Sequence, residues 1–224
     1  MSYLTPDQHT IVSDAVGEAE QQTSGEILTV LADRSDGYSD VSLLWAAALA
    51  FTAMSLFAAV PLPFLNLWDS LTGGWGSEWS TGELASMTIA LGLIAFAVAW
   101  AVQEWDPLRF ALIPPPIKTA RVHEQAVKHF KVGAEARTHG RTGILIYLSM
   151  REHRAEIVAD EPIAAKVSAE IWGEAMADML AEIKRGHLAE GMAAGVRDVG
   201  QVLSEHFPRD DTDENELPDR LIEV

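Results

Sequence analysis
No cysteine occurs among the 224 residues, which excludes disulfide scaffolds, thiolate metal sites and cysteine nucleophiles. Basic residues are scarce: 16 Lys and Arg against 33 Asp and Glu leave a net charge of −17, the opposite of what a phosphate backbone attracts, so no nucleic-acid partner is expected. Charge of either sign is missing from two long stretches. The first is the 28 residues between Asp40 and Asp69, and the second is the 20 residues between Glu83 and Glu104.

A bilayer core takes about 20 apolar residues per helix, so each stretch is long enough to span it. The expected spans are about 42–60, where Pro61 and Pro63 end a regular helix, and about 84–103. Both stretches are apolar all round, with no polar stripe to face water. The segment between them carries Asp69, Glu78 and Glu83 but no Lys or Arg, whereas Arg34 precedes the first span and Arg109, Lys118 and Arg121 follow the second. The positive-inside rule then puts both termini in the cytoplasm and a loop of roughly 18 residues outside. Trp68, Trp75 and Trp79 suit the outer interface, and Trp45, Trp100 and Trp105 the inner one. The expected location is a bacterial plasma (inner) membrane, with the bilayer itself as one partner. No ionisable side chain lies inside either span, so proton relay and charge transport are disfavoured and the hairpin reads as an anchor.

Outside the hairpin, residues 1–40 and 106–208 are expected to form one discontinuous α/β domain, with 41–105 inserted. Thr5-Pro6-Asp7-Gln8 is a helix start with a cap, Pro at the first position and Gln three residues on. Ile11, Val12, Ala15, Val16 and Ala19 follow at helical spacing, and Glu26–Leu31 is a short β-rich run. Pro114-Pro115-Pro116 reads as a stiff spacer. Beyond it come a helix bearing Val122, Ala126, Val127 and Phe130, a continuously apolar strand at 142–149, a second strand at 153–160, and two helices broken at Arg185-Gly186. Residues 209–224 are acidic and read as a disordered tail.

The residues Thr23-Ser24-Gly25-Glu26-Ile27, Arg141-Thr142-Gly143-Ile144-Leu145-Ile146-Tyr147-Leu148-Ser149, Glu152-His153 and Glu156-Ile157-Val158-Ala159-Asp160 resemble the TPM domain family, in its bacterial membrane-protein branch. The resemblance covers about 1–33 and 118–207. It implies an α/β sandwich, a small sheet with flanking helices, here carrying an inserted two-helix transmembrane hairpin. Family members include a chloroplast thylakoid protein linked to photosystem II repair and a membrane protein associated with acetylcholine receptors. Weak acid phosphatase activity and divalent cation binding have been attributed to some of them. The usual member has a signal peptide, an extracytoplasmic domain and a trailing anchor. Here the anchor interrupts the domain and the charge bias places the domain inside.

Two functions follow as expectations. One is a binding or accessory module for other membrane proteins. The alternative is a weak divalent-metal-dependent phosphatase, in which Asp33, Asp36 and Asp160, on loops at strand ends, would supply hard oxygen ligands to Ca or Mg. No residue is singled out as catalytic: the chain has no DxDxDG loop, Walker loop, GxSxG or HExxH. Glu152 beside His153 offers an acid–base pair, against the reading of a solvated turn His at the mouth of the hairpin formed by the two strands. His123 and His129 are six apart on one helix and point in different directions. Gly191 and Gly195 read as a close helix–helix contact inside the domain.

Overall fold
A computed structural model describes residues 2–73, 78–135, 142–209 and 220–224. The chain divides into two units, residues 1–36 with 115–224, and residues 37–114.

The first unit is a mixed α/β domain built on a four-stranded sheet in the order β3-β2-β1-β4. Strand β1 (Glu26–Ala32) pairs in parallel with β2 (Gly143–Ser149) on one side and β4 (Leu221–Glu223) on the other, while β3 (Arg154–Ala159) runs antiparallel to β2. Every residue of β1 and β2 is buried, as a strand covered on both faces requires. Alternation sorts the side chains. Ile27, Leu31, Ile144, Ile146 and Leu148 pack under α1 (Pro6–Glu20), the short α7 (Glu161–Ala164), α8 (Ala169–Lys184) and α9 (Leu188–His206). Leu28, Val30, Ala32, Leu145 and Tyr147 turn to the opposite face, against Val122, Ala126 and Phe130 of α6 (Pro115–Phe130). The result is a three-layer sandwich.

Local chemistry accounts for the elements. Helix α1 starts with a complete capping box: the Gln8 amide donates to the Thr5 hydroxyl at 3.3 Å and the Thr5 amide donates to the Gln8 side chain at 2.9 Å. Helices α8 and α9 approach closely at Gly191, where an added Cβ would lie 2.8 Å from the Met179 carbonyl oxygen, so the expected helix–helix contact is present.

Two expectations about this unit are corrected. Pro115 and Pro116 are not a spacer: they occupy the first turn of α6, where a missing N–H costs nothing. The end of the acidic tail is not disordered either. Residues 210–219 lie outside the described residues, but Leu221–Glu223 form β4, with Leu221 buried in the core, the Val224 amide donating to the Leu31 carbonyl at 3.0 Å and the Asp33 amide donating to the Val224 carbonyl at 2.9 Å. A three-residue strand behind an acidic stretch carries too little pattern to be read locally.

The second unit is helical. Helix α2 (Ser39–Ala59) packs against α4 (Thr81–Val102), and both are long and apolar enough to cross a membrane. Gly92 permits the approach, since a Cβ there would meet the Met54 sulfur at 2.5 Å. At one end the Gln103 side chain donates to the Ser42 carbonyl at 3.2 Å and to the Ala99 carbonyl at 2.9 Å. Between α2 and α4 lies helix α3 (Pro61–Thr72), where a loop is expected from Asn66 onward: Pro61 ends α2 but also begins α3. A short helix α5 (Asp106–Leu112) follows α4.

Candidate functional site
The carboxyl ends of β1 and β2 carry a buried polar cluster. Such ends are where open α/β sheets gather ligands, because the loops leave the sheet there. The loop after β1 brings Asp33, Ser35 and Asp36, and the turn after β2 brings Arg151 and Glu152. Glu152 is 2% exposed. It accepts the Ser35 amide at 2.9 Å and the Ser149 hydroxyl. The Ser35 hydroxyl donates to Ser149 Oγ at 3.1 Å and also meets Tyr147 Oη at 3.1 Å. Because Ser35 uses its proton toward Ser149, the phenol donates in the last contact, and one directed chain runs Tyr147, Ser35, Ser149, Glu152. Burial, with Glu152 nearby, raises the Tyr147 pKa, and the Ser35 contact only partly offsets this. A neutral phenol that donates is consistent with that direction.

This chain of hydroxyls ends on a carboxylate, but its members are enclosed: Ser149 is fully buried and Ser35 nearly so. Its work is to fasten the β1 and β2 loops to each other. His153 does not join it. Its φ of 52° turns the side chain outward while Glu152 points in, so the adjacent pair is divided between surface and core.

Around the rim the acids are paired with bases. Asp33 accepts from the Tyr3 hydroxyl and from Arg151 Nε at 3.2 Å, and the Tyr3 bond, with Arg151, holds its carboxyl below the usual range. Asp36 forms an ion pair with Arg121 of α6 at 3.2 Å.

Asp160 is elsewhere. It follows β3, and because β3 runs against β2, its end lies at the amino edge of β1 and β2. There Asp160 Oδ2 accepts the Gly143 amide at 2.9 Å. Seven-residue strands set the two edges apart by about 20 Å. Asp33, Asp36 and Asp160 therefore cannot ligate one Ca or Mg ion. Among the described residues no group of three or more His, Asp or Glu side chains is placed to hold a metal. The two helix histidines also part: His123 Nδ1 meets Glu156 Oε1 at 2.7 Å, while half-buried His129 stacks on Tyr147 with its pKa lowered by burial.

Cavities open beside the sheet and between the helices that cover it. One, of about 250 Å³, lies between Phe130 and Lys131 and the Val158–Pro162 segment, and includes Asp160. Another, of about 230 Å³, lies between α8 and α9, and Glu174, Asp178, Asp198 and Glu205 line it. Burial, and then Asp178, raises the Asp198 pKa, and Asp198 Oδ2 has no hydrogen-bond partner. Nothing in the residue pattern marks this cavity, since its acids sit singly along two amphipathic helices.

Comparison with known proteins fits this architecture. The NMR structure of the BA42 protein from the psychrophilic bacterium Bizionia argentinensis aligns with a TM-score of 0.57 at 18% identity, covering 100% of this chain and 97% of that one. At that identity the likeness speaks for the fold. No curated protein matches. The family model described as the TPM domain matches residues 117–202, from the start of α6 into α9, and leaves α1 and the central strand β1 outside the matched segment. The chain carries a TPM domain.

Proposed function
We propose that the protein is a two-span membrane protein of the bacterial plasma membrane, whose hairpin holds a TPM domain at the cytoplasmic face as a binding or accessory module for other membrane proteins. The observation that carries the reading is the surface of the hairpin: only 22% of the most apolar window of α2 and 6% of that of α4 is buried against protein. Leu49, Phe51, Ile89, Leu93 and Ile94 are all exposed. In water such a surface would be far larger than the apolar patches monomers carry, whereas in a bilayer it needs no cover. The absence of Lys and Arg between Arg34 and Arg109 supports cytoplasmic termini. The accessory role is supported by the rim of the domain, where acids and bases hold loops in place instead of surrounding a hollow.

Because the chain has no cysteine, single-cysteine variants report topology directly. With a membrane-impermeant maleimide, Thr72→Cys is expected to label in intact cells and Arg185→Cys only after lysis. Labelling of Arg185→Cys in intact cells would overturn the orientation, and release of the protein by carbonate would overturn the membrane reading.

A further inference from the structure
Helix α3 follows α2 after a break at Val60. At about 100° per residue most of its twelve residues sort to two sides, with Leu62 falling between Asp69 and Asn66 and Thr72 between Trp68 and Leu65. Leu67, Leu71, Phe64, Trp68 and Leu65 fill an arc of about 160°, and Asp69, Asn66 and Ser70 lie on the other side. The apolar arc is used in two ways. Phe64 meets the Phe57 ring of α2 edge-on at 5.6 Å between centroids, and Leu65 is buried, so the N-terminal part of the arc is fixed to the hairpin. The rest is open, with Leu67 59% exposed, Trp68 50% and Leu71 76%.

From these positions we infer that α3 is an interfacial helix, lying at the outer face of the bilayer with Leu67, Trp68 and Leu71 in the lipid. The inference deepens the membrane reading above and rests on it. Three observations favour lipid over a protein occupant. The 21 residues of α2 rise about 31 Å, the thickness of a hydrocarbon core, so α3 begins where the core ends. The open arc adjoins the exposed apolar surface of the hairpin to which it is pinned. The side chains resemble those of an interfacial helix, with Trp68, Leu67 and Leu71 on one face and Asp69, Asn66 and Ser70 on the other beside Leu62. No Lys or Arg occurs on α3, so attachment comes from apolar burial and does not need anionic lipid.

Single nitroxide labels on the full chain in phosphatidylcholine nanodiscs, one copy per disc, test this through collision with oxygen, which partitions into lipid, and with a nickel chelate, which stays in water. The labelled variants are Leu71→Cys and Trp68→Cys on the open arc, Asn66→Cys and Ser70→Cys on the polar side, and Leu93→Cys on α4. Oxygen collisions are expected to dominate at 68 and 71 and nickel collisions at 66 and 70. Nickel dominance at all four α3 positions, with oxygen dominance at 93, would overturn the inference and leave the membrane reading standing. Nickel dominance at 93 as well would overturn both. Shielding of 68 and 71 from both reagents would show protein cover and overturn the lipid assignment. Vesicles with and without phosphatidylglycerol should give the same pattern, and a shift of 71 into lipid only with the anionic lipid would overturn the charge-independent attachment.

Discussion
Helices α9 and α4 are of similar length and both rich in Ala and Gly, yet they use these residues in opposite ways. Of its 19 residues α9 buries nine, from Ala189 to Leu203, and keeps Arg197 and Glu190 for the outside. Of its 22 residues α4 buries Gly92 alone and turns Leu93, Ile94 and Val98 outward. Amphipathic patterning gives α9 an inside and an outside. An unpatterned apolar helix has only a narrow seam of small residues and otherwise presents one kind of surface. The contrast shows why the average composition of this chain says little: its apolar residues are distributed for two different surroundings.

Substitutions that separate the two regions sharpen the contrast. In the α/β unit, Ile146→Ala removes a fully buried side chain from the centre of the sheet and is expected to cost about 3–4 kcal/mol, read as a lower midpoint of thermal unfolding of the domain's circular dichroism. In α4, Ile94→Arg changes an exposed residue. In water it would cost within about 0.5 kcal/mol, whereas in a bilayer it should oppose insertion by about 3 kcal/mol. A lower membrane-bound fraction for Ile94→Arg, beside an unchanged fraction for Ile146→Ala, confirms the division. Equal membrane fractions would erase it.

The polar interior of the α/β unit supplies two smaller effects. Glu152→Gln replaces one accepting oxygen with a donor facing groups that already donate, and should destabilise the domain by about 2 kcal/mol in denaturant titration. Asp198→Asn should stabilise it slightly, by less than about 1 kcal/mol at neutral pH because solvent screens a half-buried group, by removing a charged carboxylate that faces Asp178 and has an unpartnered oxygen. Here the sign depends on pH. The folded pKa of Asp198 is raised, so the protonated form is favoured by folding and the wild type gives up that stability as pH rises through the folded value. The advantage of the Asn variant should therefore be largest at neutral pH and shrink as the solution is acidified through the carboxylate range. A constant advantage across that range would mean that the charge is not its source.

How much of this could be read in the sequence depends on how local the determinant is. The α1 cap, the continuously apolar β2 and the Gly191 contact are written in neighbouring residues, and the structure has them. Strand β4 depends on pairing with β1 across most of the chain, and three residues cannot announce that. The carboxylate set failed for a topological reason. Asp33, Asp36 and Asp160 each follow a strand, but the short turn at 150–153 makes β3 antiparallel to β2 and so sends Asp160 to the opposite edge; the hairpin is legible in the residues, and a shared strand-end position does not amount to a shared edge. Glu152 was visible only as a residue beside His153. Its burial follows from the turn that sends the two side chains apart.

The parallel pairing of β1 with β2 also sets an order of events in time. Residues 33–142 separate the two strands, so β1 leaves the ribosome roughly 5–20 s before its partner does. During that interval a strand destined to be buried on both faces has no neighbour on its β2 side, and the whole helical unit is synthesised meanwhile. The sheet can close only after α2 and α4 have both been made and the chain has returned to the domain. Completion of the α/β unit thus reports that the whole helical unit has been made, and a chain stalled within that unit would leave β1 bare, a ready target for chaperones and proteases.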